Sequence, residues 1–346
     1  MKNVDCKVIA IDGMGGDNAP ESVFKGLARV KASDVHFIIF GDKNLLSKYE
    51  NLLPKDFPYE IRHTSEVITA DMEVMTALRT GKKSGMGLAV QAVKNKEAMA
   101  VVSSGNTGLY MALAKIILGT MDGIDRPAIA SVLPAKNHPT VCLDLGANAE
   151  CDEKNLVDFA ILGEAVARSA FNKQDVKIAL LNIGSEDAKG SRLVKKTAEI
   201  LKTVCKSYVG FVEGDDICKG EVDVIVTDGF TGNVALKTIE GTAKFIASEL
   251  KSSLMRSFFA KLGILFCLPA LNKLKKRMDP RLYNGAIIVG LNGVVVKSHG
   301  NSDEIGFANA VEFTINLLKN NMFDKIREQL DQSELHSFPK REEQKQ

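Results

Sequence analysis

The residues best suited to chemistry sit in short turns rich in Gly, Asn, Asp, Ser and Thr. "SSGNTG", Ser103 to Gly108, follows the apolar run "AMAVV" and precedes the helical run "LYMALAKIIL". The Ser103, Ser104 and Thr107 hydroxyls, the Asn106 amide and the N–H groups up to Gly108 can face an anion; the same groups can equally serve as plain helix caps. "TDGFTGN", Thr227 to Asn233, repeats this layout with Asp228, Thr231, Gly232 and Asn233. "AIDGMGGDNAP" places Asp12, Gly15, Gly16 and Asp17 before Pro20. It is neither G-x-G-x-x-G nor a P-loop, and its two aspartates would repel an anion. Asp17 reads as a helix cap and Asp12 as a residue that orients neighbouring turns. "NIGSEDAKGS" contributes Glu186 and Lys189, either an anion-neutralising or oxyanion-stabilising pair member or a solvated surface charge. "KSHGNSD" contributes His299, as readily a structural hydrogen-bonder as a catalyst, with Ser302 or Asp303 capping the last helix. "DLGANAECDEKN" adds Asp144, Asn148 and Glu150.

No side-chain nucleophile stands beside a base. There is no G-x-S-x-G elbow and no H-E-x-x-H pair. The six cysteines, Cys6, Cys142, Cys151, Cys205, Cys218 and Cys267, form no C-x-x-C and no spaced Cys/His set. That spacing argues against a metal site and for reduced thiols in the cytoplasm. A reaction whose nucleophile is a bound anion fits this inventory, because it needs several polar turns and few special side chains.

The elements that must position these turns alternate regularly. "KVIAID" (7–12), "VHFIIFG" (35–41), "AMAVVSS" (98–104), "TVCLDLG" (140–146), "VKIALLNIG" (176–184) and "VDVIVTDG" (222–229) read as buried strands. Helical patterns lie near 20–31, 84–96, 107–119, 153–171, 191–205 and 231–253. The alternation predicts a three-layer α/β/α fold with a doubly wound, mostly parallel sheet, and ligands outside the carboxyl ends of its strands. "AIIVGLNGVVVKS" (286–298) breaks the pattern as a hairpin turning at Asn-Gly. One catalytic domain over 1–330 is expected, with a polar, frayed tail over 331–346.

Residues 254–279 are apolar and then basic. Leu254, Phe258, Phe259, Leu262, Leu265, Phe266 and Leu268 are interrupted by Arg256, Lys261, Gly263 and Pro269. The run falls short of the roughly 20 apolar residues of a spanning helix. It reads as a protruding helical element over 250–280, a hairpin turning near Gly263–Pro269. It is either a dimer interface or an apolar tip on a membrane surface, with Lys273, Lys275, Lys276 and Arg277 meeting anionic headgroups or an acidic carrier protein. Formal net charge is +2 and tryptophan is absent, so neither charge nor aromatic content points to nucleic acid.

Six motifs in order, "IDGMGGDNAP", "SSGNTG", "LDLGAN", "LNIGSEDAKG", "TDGFTGN" and "VVVKSHGNSD", resemble the bacterial phosphate acyltransferase family, PlsX, over residues 7–325. One departure is Gly13, where the family usually has Ala. The resemblance implies a Rossmann-like fold related to phosphotransacetylases and isocitrate dehydrogenases, and a homodimer. It implies conversion of acyl-[acyl-carrier-protein] and inorganic phosphate into acyl phosphate, which a membrane glycerol-3-phosphate acyltransferase consumes in phospholipid synthesis. It implies peripheral contact with the inner face of the plasma membrane and no metal or nucleotide cofactor. On this reading phosphate sits at 103–108, and Lys189, His299 and Asn233 are donors to phosphate or oxyanion. Two other readings stay open: a phosphotransacetylase-like enzyme using short acyl-CoA, and a non-catalytic phosphate- or nucleotide-binding regulatory module.

Overall fold

The computed structural model describes residues 6–31, 34–66, 68, 79–256, 266–274 and 279–332. Eleven strands form one sheet in the order β3-β2-β1-β4-β11-β10-β5-β6-β9-β7-β8. They are β1 (Lys7–Asp12), β2 (Val35–Gly41), β3 (Tyr59–His63), β4 (Ala100–Ser103), β5 (Ala128–Leu133), β6 (Thr140–Leu143), β7 (Ile178–Leu181), β8 (Tyr208–Val212), β9 (Val224–Val226), β10 (Ala286–Val289) and β11 (Val294–Lys297). The helices are α1 (Glu21–Leu27), α2 (Lys43–Leu46), α3 (Gly85–Lys94), α4 (Thr107–Leu118), α5 (Glu153–Phe171), α6 (Arg192–Val204), α7 (Gly229–Met255), α8 (Glu304–Lys319) and α9 (Met322–Gln332). A further helical stretch spans 266–274.

Strand alternation builds the three layers. Ile9 and Ile11, Phe37 and Ile39, Val141 and Leu143, Val224 and Val226 all point to one face. There they meet Phe24 of α1, Phe159 and Leu162 of α5, and Phe307 and Val311 of α8. The intervening residues point the other way. Ala10, Ile38, Phe40 and Val101 pack on Met86, Val90 and Leu113 of α3 and α4. Ile129, Cys142, Ala179 and Ile225 pack on Ala235, Leu236 and Ile239 of α7. Full burial of each large side chain contributes about 1.5–3 kcal/mol, so these faces dominate the stability.

Strand direction reverses three times in succession at the centre of the sheet. The left group, β3, β2, β1, β4 and β11, is parallel. The right group, β6, β9, β7 and β8, is also parallel. Between them β10 pairs antiparallel with β11 and β5, and β5 pairs antiparallel with β6. Three antiparallel pairings make the two groups run oppositely. The carboxyl ends of β1, β4 and β11 therefore lie at one edge of the sheet, and those of β6, β7 and β9 at the other.

The hairpin expected at 286–298 is present as β10 and β11, with Ile288 opposite Val295. Three strands lack a clear sequence signal. β3 and β8 are half-exposed edges, and β5 carries an apolar run that the antiparallel insertion recruits. Asp17 does not cap α1; Pro20 holds that position, and the Asp17 N–H donates to Gly300 O. Asp303, rather than Ser302, caps α8, and a further helix, α9, follows it. Pro269 lies inside the helical stretch 266–274, so the chain does not turn there; Gly263 and Leu265 lie outside the described residues. The tail beyond Gln332 lies outside them too.

Gly232 marks where α7 meets the end of β6. A Cβ placed there would stand 1.9 Å from the Asp144 carbonyl oxygen, a backbone atom. Gly232→Ala is expected to lower stability by about 1–3 kcal/mol through this overpacking, outweighing the helix propensity Ala would add. Urea denaturation with an unchanged m-value and a lowered midpoint is the expected result; a raised midpoint contradicts the packing argument.

Candidate active site

The first edge of the sheet gathers three turns. Asp12 ends β1, Ser103 ends β4 and Lys297 ends β11. Ser103 Oγ donates to Asp12 Oδ2 at 2.6 Å and accepts from the Gly105 N–H at 3.0 Å. Asp12 Oδ1 accepts from the Met14 N–H at 3.2 Å. One buried carboxylate thus ties the first glycine turn to the "SSGNTG" turn. Its burial raises the Asp12 pKa, while the Ser103, Met14 and Gly15 bonds and the Lys297 charge oppose that rise.

Gly16 sits at φ +104°, in the left-handed region that glycine tolerates. A Cβ on Gly16 would lie 2.8 Å from Ser104 Cβ, and one on Gly15 would lie 2.9 Å from Gly105 N. The two glycines let the first turn close against 104–105. Asn106 then caps α4, its Oδ1 accepting from the Leu109 N–H at 3.1 Å. Asn106, Thr107 and Gly108 are exposed, so the helix start opens to solvent.

The turn after β11 completes this edge. Asn284 Nδ2 donates to Ser298 Oγ and Ser302 Oγ, and its Oδ1 accepts from the His299 N–H at 3.0 Å. His299 is an exposed residue whose ring is partly desolvated. Burial lowers its pKa, Lys297, Lys237 and Lys244 lower it further, and among the described residues Glu240 raises it. Its imidazole is therefore mostly neutral at pH 7, with Glu240 the largest single charge acting on it and Lys297, Lys237 and Lys244 opposing.

The second edge holds the other expected residues. Asp144 is fully buried and accepts from the N–H groups of Ile129, Gly146, Ala147 and Asn148 and from Asn148 Nδ2. Its lone pairs are committed to the fold. Asp228 caps α7, accepting from the N–H and hydroxyl of Thr231. Asn233 is exposed beside Gly146. Lys189 Nζ pairs with Glu186 at 3.0 Å, and Asn182 Nδ2 donates to the Gly184 and Lys189 carbonyls. Within the chain, then, Asp12, Gly15, Gly16, Asp17, residues 103–108 and His299 share one edge, while Lys189, Asp228, Thr231, Gly232 and Asn233 share the opposite one.

Lys297, Ser298 and Asn284 escaped the sequence reading. A usable signal existed for the lysine: it is the only charge in "VVVK", the closing residue of a buried valine strand. Cysteine chemistry is disfavoured, since burial pushes the Cys142 thiol up to about 12 and the Cys151 thiol up to about 11. Among the described residues no group of three His, Cys, Asp or Glu is placed to hold a metal ion.

This architecture, a reversing sheet with glycine-rich turns at helix starts, is that of the phosphotransacetylase-like α/β/α proteins. A phosphotransacetylase from Streptococcus pyogenes superposes with TM-score 0.60 at 18% identity, covering 92% of this chain and 94% of that one. A phosphotransacetylase from Staphylococcus aureus gives TM-score 0.58 at 15% identity, covering 91% and 94%. The family described as "Fatty acid synthesis protein" matches residues 7–325. Phosphate acyltransferase from Paramagnetospirillum magneticum is 48% identical over 333 residues, covering 93% of each chain. That from Pelagibacter ubique is 42% identical over 324 residues, covering 92% of this chain and 97% of its own. The chain belongs to this phosphate acyltransferase family and is an enzyme.

The electrostatics of His299 are directly measurable. In a proton NMR titration its pKa is expected below the ordinary imidazole value of about 6.5. Glu240→Gln should move it lower still, because the one neighbour that raises it is removed; an upward shift contradicts this arrangement.

Proposed function

We propose that this enzyme transfers an acyl group from acyl-[acyl-carrier-protein] to inorganic phosphate, with the phosphate held at Ser103–Gly108. The observation that supports this placement most is the open N-terminus of α4. There the first-turn N–H groups, the Ser104 hydroxyl and the Asn106 amide stand at the end of β4, braced from beneath by Asp12 and Ser103. Phosphate at neutral pH needs little help from a base; it must be held, partly stripped of water and aimed. One phosphate oxygen attacks the thioester carbonyl carbon. The tetrahedral oxyanion collapses, the C–S bond breaks, and the carrier's thiolate leaves. A thiolate of pKa about 8.5 needs only weak acid assistance. Neutral His299 is the candidate donor to the oxyanion from the same edge.

Lys189 and Asn233 are the remaining candidate donors. Standing at the opposite edge of the sheet, they join this centre only from a second copy of the chain. A homodimer is supported by α7, whose Phe230, Val234, Phe245 and Ile246 are all at least half exposed. Peripheral membrane contact is supported by the helical stretch 266–274, where Phe266 is 84% exposed and Leu268 and Leu274 are also exposed. Among the described residues no helix is long and apolar enough to cross a membrane. Such a surface would deliver acyl phosphate to a membrane glycerol-3-phosphate acyltransferase.

The decisive assay is formation of long-chain acyl phosphate from acyl-[acyl-carrier-protein] and phosphate. Turnover of acetyl-CoA alone would favour the short-chain alternative, and phosphate binding without turnover a regulatory module. At the turn itself, Asn106→Ala removes a cap worth about 1 kcal/mol, whereas Asn106→Asp keeps the cap and adds a negative charge. Asn106→Asp is expected to raise the phosphate KM at least about tenfold, the effect of losing one charge-assisted contact, with little change in Tm. An unchanged KM removes this turn from the site. For the membrane surface, Phe266→Glu is expected to reduce recovery with anionic liposomes in a flotation assay; intact flotation contradicts the contact.

A further inference from the structure

Lys297 is the anomaly of the first edge. The three valines before it are buried, and the lysine itself is only 7% exposed. Its ammonium donates to two backbone carbonyls, Ser104 O at 3.3 Å and Ser298 O. Among the described residues it makes no ion pair with a carboxylate and has no third hydrogen-bond partner. Asp12 and Asp17 act on it only through space, and Asp12 is already engaged by Ser103 and Met14. A buried cation without an anion is strongly unfavourable, and structural lysines at such depth are ordinarily paired.

A second, independent anomaly lies on the residue whose carbonyl holds this ammonium. Ser104 is 4% exposed, and its Oγ has no hydrogen-bond partner among the described residues. A hydroxyl left unpaired at that depth is uncommon. Both groups adjoin the segment that runs directly into the solvent-open start of α4. An ammonium with spare capacity and an unpaired hydroxyl therefore adjoin the turn that leads into a helix N-terminus, and these are the kinds of donor that an anion satisfies.

We propose that Lys297 is the cation that binds the substrate phosphate, with the Ser104 hydroxyl as its companion donor. This rests on the placement of phosphate at Ser103–Gly108 and names the side chains that make the placement selective for an anion. A backbone turn alone would hold phosphate weakly against water. A buried ammonium supplies a full charge in a medium where it is poorly screened.

The charge of Lys297 is also tuned. Burial pulls its pKa down to about 8, against the opposing fields of Asp12 and Asp17 from the first turn. His299 leaves the same strand, and through it Lys237, Glu240 and Lys244 of α7 face this corner. The ammonium is present below that value and is lost as pH rises through it. Phosphate affinity should fall in the same window. Arginine stays charged throughout, so Lys297→Arg should abolish this fall. The ionisation of phosphate itself is common to both proteins and cancels in the comparison.

The test uses the full chain, steady-state kinetics against phosphate and acyl-[acyl-carrier-protein], and calorimetric binding of inorganic phosphate. Lys297→Met is expected to raise the phosphate KM and Kd by about 10- to 100-fold, the range for a lost charge-assisted hydrogen bond. The KM for acyl-[acyl-carrier-protein] should move less than about twofold, since the proposal assigns the ammonium to phosphate. Ser104→Ala should raise the phosphate constants by about 3- to 10-fold. Lys297→Arg should restore phosphate binding and flatten its decline above pH 8. If kcat falls while the phosphate constants stay put, the proposal is overturned and Lys297 acts in proton transfer instead. If Lys297→Met does not fold, the Arg variant decides: a persistent decline above pH 8 overturns the proposal. Should the wild-type protein bind phosphate yet make no acyl phosphate, the functional reading fails while the binding arm still tests Lys297.

Discussion

The antiparallel insertion of β10 and β5 at the centre of the sheet decides what each polar turn can do. In a wholly parallel sheet every carboxyl end faces one crevice, and six glycine-rich turns would surround one ligand. Here three antiparallel pairings turn the right-hand strands around. The turns after β1, β4 and β11 share one edge, and those after β6, β7 and β9 share the other. The two sets of turns therefore do not surround one ligand within the sheet of a single chain. The exposed apolar face of α7, which starts at the second edge and reaches the neighbourhood of His299, offers a surface on which two copies can meet.

The two edges also differ in how their polar groups are used. At the second edge most are spent on the fold. Asp144 takes five donors, Asp228 caps α7, and Asn182 holds its own loop together. At the first edge the hydrogen bonds brace the turns from below, through Asp12, Ser103 and Asn284, and leave the upper surface open. Ser104 Oγ and Lys297 Nζ retain unused capacity there. Buried donors with unused capacity beside a solvent-open helix start point to binding more reliably than the number of polar residues does.

Much of the fold was legible because strand alternation and helix periodicity are local properties. The runs containing Ile9 to Ile11 and Val141 to Leu143, and the boundaries of α4 and α5, follow from patterns within a dozen residues. The Asn292-Gly293 turn likewise marked the β10–β11 hairpin. Strand direction is not local. Nothing in "AIASVL" says that β5 pairs antiparallel with both neighbours, so the division of turns between edges was invisible. Of the site, the turns themselves were legible, since Gly, Asn and Ser clustered after an apolar run are the residue types that a tight, donor-rich turn requires. Lys297 carries a weaker signal: it closes a buried valine run, yet a lysine beside a polar turn is ordinarily a surface charge. Asp17 failed for a related reason: a cap is defined by where the first helical turn starts, and α1 starts only at Glu21.

The arrangement of Asp12 and Lys297 follows one physical logic. Two opposite charges buried at the same end of strands β1 and β11, which flank β4, would be expected to attract each other into an ion pair. Had they done so, an incoming phosphate would have to displace a carboxylate already stripped of water, and the attraction would be spent. Ser103 Oγ and the Met14 N–H engage Asp12, while two uncharged carbonyls engage Lys297. Carbonyl dipoles steady the ammonium without cancelling its charge. The field of Asp12 keeps the lysine protonated at neutral pH despite its burial, which an isolated buried lysine would resist. The carboxylate thus acts at a distance on the ammonium and through Ser103 on the turn, favouring anion binding without touching the anion. That resolves the apparent contradiction of "AIDGMGGDNAP", an acidic glycine turn beside the proposed site for phosphate.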